Sequence, residues 1–163
     1  MIYLAPDVEP RARLAIIETS ARAASQRDDV RELVRLVRAS LPRHTGTDMA
    51  RALLALVSRP PYQGDPSEEP SDGQWLDENV LATVQSGGDC VDRTHALLAL
   101  AYAAGLDGFP VWITEPEPAM LDHVAPRLLM DGLWLWADPI QQPAVLGMAP
   151  RGIAMRTARD LTA

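Results

Sequence analysis

The chain has a single cysteine among its 163 residues. One thiol excludes an internal disulfide, and a reducing compartment is its simplest setting. The opening stretch, MIYLAPDVEP, has neither a basic start nor a long apolar run, so no signal peptide is expected. No apolar stretch approaches the roughly 20 residues of a membrane-spanning helix. Positive charge is in deficit, with 15 Lys and Arg against 22 Asp and Glu and a formal net charge of -7. Phosphate backbones and anionic lipids would be repelled, which argues against nucleic-acid and membrane partners. Internal repeats are absent, and so is any CxxC or HxxxH pair beside the cysteine, which argues against a zinc site. These absences leave a cytoplasmic globular protein as the expectation.

The length fits one domain spanning 1–163, with a core of useful size. The first half reads as helical, over about residues 10–59. In RARLAIIETSARAAS, Leu14, Ile17 and Ala21 recur at helical spacing. In DDVRELVRLVRASL, Val30, Leu33, Val34, Val37 and Leu41 form one stripe. Asp28 or Asp29 is expected to cap this helix, and Pro42 to end it. Arg31, Arg35 and Arg38 lie off the stripe and read as a solvated face. A third helix, MARALLALVSR, follows Thr47 as its expected cap. Residues 60–79 are rich in Pro, Gly, Ser and acids and read as a long loop, with Trp75 as its anchor.

Beyond a core of about residues 80–140, the tail 141–163 reads as mostly irregular, with a short closing helix from Thr157. Within that core, one apolar helix precedes short strand-like runs: GFPVWIT, DHVAPRLLM and GLWLWADPI. Helices followed by strands predict an α+β fold with a small antiparallel sheet. The apolar helix, Val91 to Ala104, is rich in Leu and Ala and ends at Gly105, a good residue for a left-handed stop. A helix apolar on most sides is normally buried. Gly87 and Gly88 allow a tight turn ahead of it, and Asp89 is a natural N-cap. Cys90 then falls at the first helical position. The first-turn amides lack intrahelical partners and carry partial positive charge, so a thiolate is stabilised there. The Cys90 amide could also donate to an oxyanion beside the sulfur. A lone cysteine beside an apolar helix also fits a small packed hydrophobe.

A thiolate nucleophile needs a base, and the chain holds three histidines. His95 points about 140° around the helix from Cys90, which suits a packed residue. His44 lies in a turn, PRHTGT, and reads as a surface residue. His123 remains, in the run DHVAPRLLM. RLLM and LWLW flank Asp131-Gly132, a strong hairpin signal. A two-residue turn there pairs Met130 with Leu133, Leu129 with Trp134 and Arg127 with Trp136. His123, Arg127, Trp134, Trp136 and Asp138 then share one face. Val124, Leu128, Met130, Leu133, Leu135 and Ala137 share the other, which should pack on the core. His123 and Asp138 become diagonal neighbours within hydrogen-bonding reach. A carboxylate on one imidazole nitrogen leaves the other as a base. Cys90, His123 and Asp138 thus form a coherent nucleophile, base and orienting acid. Pro126 has no N–H to give at a paired position, so the ladder should bulge or end near it. Each residue also has a plain structural role available: His123 as a polar strand start, Asp138 as turn chemistry before Pro139.

GGDCVDRTHALLALAYAAGL resembles the Gly-x-Cys-x-Asp helix of the transglutaminase-like domains, a branch of the papain-like thiol enzymes. DHVAPRLLM resembles that family's His-bearing strand, and DGLWLWADP its strand with a tryptophan and a terminal Asp-Pro. The doublet GGDC, with GDP at residues 64–66, is similar to a subgroup encoded by tailed phages. The chain departs from that pattern at Val91, where a second Asp is usual, and at Val124, where an aromatic is usual. The resemblance implies a papain-like core, N-terminal helices and a buried Cys-bearing helix on a small antiparallel sheet. It implies acyl transfer through a thioester on Cys90, with His123 and Asp138, and with neither metal nor organic cofactor. Substrates would be proteins or peptides, cell-wall peptides among them. Water as acceptor gives a peptidase or amidase, and an amine gives a transglutaminase. Gln85 and Trp75 lie upstream, where relatives supply a second oxyanion donor. A catalytically silent relative acting as a virion or tail-assembly component is the alternative reading.

Overall fold

The computed structural model describes residues 2–4, 8–43, 45–63, 74–76, 78–114, 123–150 and 153–157. In chain order, the elements are strand β1 (Ile2–Leu4), helices α1 (Pro10–Ala24), α2 (Asp28–Ser40) and α3 (Gly46–Ser58), and strand β2 (Gln74–Leu76). Helices α4 (Val80–Ser86) and α5 (Cys90–Ala103) follow, then strands β3 (Gly108–Thr114), β4 (His123–Met130), β5 (Leu133–Trp136) and β6 (Ile153–Thr157). The architecture is α+β. One antiparallel sheet runs in the order β5-β4-β3-β6, and a small second sheet joins β1 to β2.

Helix α5 is the spine. Helices α1 to α4 and strands β3 and β4 all pack on it, and α1 also meets β3. Leu97, Leu98 and Leu100 are fully buried. Burial of that kind stabilises by roughly 1.5–3 kcal/mol per side chain. Gly108 lets β3 approach, since a Cβ there would sit 2.7 Å from Leu128 and 2.9 Å from Leu98. The α2 stripe behaves as its spacing implies: Val30 and Val34 are buried, with Leu33, Val37 and Leu41 packed beside them. Arg31, Arg35 and Arg38 are exposed. Arg38 nevertheless donates to the Ala104 carbonyl at 2.8 Å, satisfying one of the open acceptors at the end of α5.

The hairpin register is the expected one. Asp131 and Gly132 take φ of 52° and 81°, and Arg127 pairs with Trp136, Leu129 with Trp134 and Met130 with Leu133. The β4–β5 ladder stops at Arg127, one residue from Pro126. Beyond it the Ala137 amide still donates to the Pro126 carbonyl at 3.0 Å, but Pro126 has no N–H to return. Leu128, Met130, Leu135 and Ala137 meet the core. Leu133 does not: it is 65% exposed at the hairpin tip.

Other expectations need correction. The α3 cap is Thr45, whose side chain accepts from Asp48 N at 3.0 Å, because the helix starts one residue before Thr47. Helix α2 has Arg27 at its N-cap position; Asp28 and Asp29 lie in its first turn, where Asp29 Oδ1 accepts from Val30 N at 2.9 Å and so satisfies one of the open amides. Residues 60–79 are not all loop, since β2 pairs there with β1. The tail is not simply irregular, since β6 pairs with the open edge of β3. Thr157, where a closing helix is expected to begin, ends this strand, and residues 158–163 lie outside the described set. Helix α4 carries no amphipathic signal to announce it and is capped by Asn79, which accepts from Ala82 N.

Candidate active site

The turn Gly87-Gly88-Asp89 sets Cys90 at the N-terminus of α5. Gly87 adopts φ of 93°, and any Cβ there would collide with Pro61 O. Asp89 is the N-cap: its Oδ1 accepts from Val91 N at 2.8 Å and Asp92 N at 2.9 Å. Asp92 Oδ2 in turn accepts from Asp89 N at 3.4 Å, closing a capping box. Cys90 is 8% exposed and packs with Leu76, Val91, Trp112 and Val124. Asp89 caps the helix as expected, and Asp92 adds a second carboxylate at its positive end.

The compensating charge comes from β4. His123 Nε2 lies 3.0 Å from Asp138 Oδ2, and the Asp138 side chain is only 4% exposed. The other carboxylate oxygen of Asp138 accepts from Ile140 N at 2.9 Å, which fixes its plane. Burial pushes the His123 pKa down. Hydrogen bonds to Asp138 and Cys90, with the charges of both, outweigh that and raise it to about 10. His123 is thus held as imidazolium through the neutral range, between a carboxylate and the Cys90 sulfur. The three side chains come from three elements: the start of α5, the start of β4 and the turn after β5.

The other histidines stand apart. His95 is fully buried, and its Nε2 lies 3.1 Å from Ser20 Oγ on α1. His44 lies outside the described residues. Gln85 is exposed near the end of α4, and of Trp75 only the backbone is described, paired with Tyr3. Arg127 stacks over the Trp136 ring at 4.9 Å and donates to Trp134 O at 3.2 Å, while Phe109 meets Trp134 edge-on at 4.6 Å. The two tryptophans pack on the sheet face that carries Phe109, Val111 and Ala125. Among the described residues, no group of three or more His, Cys, Asp or Glu is arranged to hold a metal. No helix among them is long and apolar enough to cross a membrane.

Two residues one turn into α5 escape sequence reasoning. Thr94 is fully buried and donates from Oγ1 to Val124 O at 3.0 Å. Arg93 is 1% exposed, and its guanidinium is held by backbone carbonyls. The available signal was a lone basic residue inside an otherwise apolar helix, where a surface position is hard to supply.

No protein-family model and no curated protein sequence matches the chain. Its fold is similar to that of a candidate cysteine protease from Cytophaga hutchinsonii, at a TM-score of 0.56 and 16% identity. That alignment covers 94% of this chain and 50% of the other, so the chain spans about half the length of that protein. A TGase structure aligns at a TM-score of 0.46 and 16% identity, over 94% of this chain and 37% of that one. The first likeness shows a shared fold, helices packed on a small antiparallel sheet, in keeping with the α+β architecture expected from the sequence.

Proposed function

We propose that the chain is a cysteine-dependent acyl-transfer enzyme in which Cys90 is the nucleophile, His123 the proton carrier and Asp138 its orienting partner. The observation that carries this reading is the chain of contacts from a helix-mouth thiol to a partly buried imidazole to a buried carboxylate. Mere packing of Cys90 would not call for a protonated imidazole beside it, because burial alone opposes that charge.

The chemistry follows from the placement. In the ion-pair form, the Cys90 sulfur adds to an amide carbonyl carbon. The C–N bond breaks as His123 gives its proton to the departing amine, leaving a thioester and a neutral imidazole. Asp138 holds Nε2, so Nδ1 is the nitrogen that exchanges this proton. Water or a second amine then attacks the thioester, His123 takes its proton, and the acyl product leaves with Cys90 restored. The Cys90 amide, at the first position of α5, is placed to donate to the developing oxyanion. Hydrolysis is the preferred outcome, since it needs no separate amine site. Peptides, including cell-wall peptides, are the substrate class to screen.

The test is thiol reactivity followed by turnover. Fast labelling of Cys90 by an alkylating probe at pH 6 to 7, slowed by His123→Ala, is expected. Glutaminyl, peptide and cell-wall peptide substrates are then screened against wild type and Cys90→Ser. A slow thiol indifferent to His123 would overturn the proposal.

A further inference from the structure

We propose that Arg93 and Thr94 form a brace through which the helix bearing Cys90 also fixes the strand ends bearing His123 and Asp138. They would be positioning residues for the candidate site, and the inference rests on reading Cys90, His123 and Asp138 as one reacting set.

A threonine inside a helix usually turns its hydroxyl back to the carbonyl four residues earlier. Thr94 instead sends it across the interface to Val124 O, one residue past His123. Beside it, the Arg93 guanidinium reaches four separate pieces of backbone. Its Nε donates to Gly88 O at 3.0 Å, in the turn that presents Cys90. Its Nη1 donates to Pro139 O, next to Asp138, and to Val57 O at the end of α3, both at 3.4 Å. Its Nη2 donates to Pro60 O at 2.8 Å and Pro61 O at 2.5 Å. The same proline segment runs on to Gln63, whose amide donates to Gly88 O.

A buried cation is costly unless it is well hydrogen-bonded. No carboxylate pairs with Arg93 among the described residues, and burial depresses its pKa. A leucine at this place in an apolar helix would fill the volume without that cost. Only the planar fork of a guanidinium can collect several carbonyls in fixed directions, and a lysine cannot copy it. Two of the carbonyls collected, Gly88 O and Pro139 O, belong to residues two positions from Cys90 and one from Asp138, the other three anchor the Val57–Pro61 segment, and Thr94 adds the residue beside His123. Adjacent positions on one rigid helix thus set the spacing among all three groups, which otherwise come from a turn, a strand start and a strand exit.

The experiment compares Arg93→Lys and Thr94→Val with wild type by two readouts: the NMR titration midpoint of His123 and the rate of Cys90 alkylation. Displacement of about 1 Å can cost about 100-fold in rate. Arg93→Lys should slow alkylation on that scale, and Thr94→Val, which keeps shape and loses one bond, about 10-fold. In both, the His123 midpoint should fall by about one pH unit or more as its contacts with Asp138 and Cys90 loosen. If Arg93→Lys does not fold, Thr94→Val decides. A lower melting temperature with an unmoved midpoint and rate would mean ordinary packing and would overturn the brace. Failure of the enzyme reading is seen separately, as alkylation of the wild-type thiol that ignores His123→Ala. The midpoint comparison still judges the brace in that case.

Discussion

Asp138→Asn removes one charge and little else. The amide keeps an oxygen for the Ile140 N–H, so the turn before Pro139 can persist. What disappears is the negative half of the pair that holds His123 as imidazolium. In the native site the His123 pKa stands at about 10 against 6.5 for the ordinary side chain. At about 1.4 kcal/mol per pH unit, that gap corresponds to up to about 5 kcal/mol of folding free energy. The folded state binds this proton more tightly than the unfolded chain does. The contribution is therefore complete below pH 6.5 and drains away as the pH rises to about 10. In the variant, burial still pushes the imidazole down and only Cys90 pushes it up. Its midpoint should fall by about two pH units or more, and most of the alkaline loss of stability should vanish. Urea melts at pH 6 and pH 10, read beside an NMR titration of His123, measure both quantities. Wild-type titration near 6.5, or the same pH dependence in both proteins, would refute the reasoning.

His95→Ala should cost about 2–4 kcal/mol in urea melts through lost packing and its Ser20 bond, yet leave Cys90 alkylation at the wild-type rate. Slowed alkylation in a folded His95→Ala would instead give that histidine a part in the site. Asp89→Ala should cost about 1–2 kcal/mol, since one carboxylate oxygen serves two amides at the α5 N-terminus. By thermal melts, a change of only a few tenths would show that water replaces the cap. Gly108→Ala should cost about 1–3 kcal/mol, because its Cβ would meet Leu128, Leu98 and the Arg127 carbonyl within 3.0 Å. Unchanged stability would show that β3 can step back from α5.

Much of this chain is written in short-range patterns. The α2 stripe, the Asp131-Gly132 turn and the strands GFPVWIT and LWLW follow from spacing and backbone preference over a few residues. The common side of His123 and Asp138 was legible from strand alternation as well, although the ladder stops at Arg127 and their contact forms beyond it. Harder to read was anything whose partner is distant. The β1–β2 pair joins residues far apart in sequence, and β6 is a strand because β3 leaves an edge open to it. Cap positions shifted by a residue or two, since Thr45 and Thr47 are equally able in isolation.

Sequence alone determined the apolar helix that opens at Cys90, the parity of His123 and Asp138, and the excess of acid. These depend on side-chain chemistry and on dihedral preferences between near neighbours. Tertiary structure alone decided that Arg93 lies inside, that Thr94 turns outward to Val124, and that an imidazolium supplies the positive charge at a helix mouth already faced by two acids. Those outcomes depend on which remote carbonyls and carboxylates meet when α5 is enclosed, and burial then gives each meeting its energetic weight.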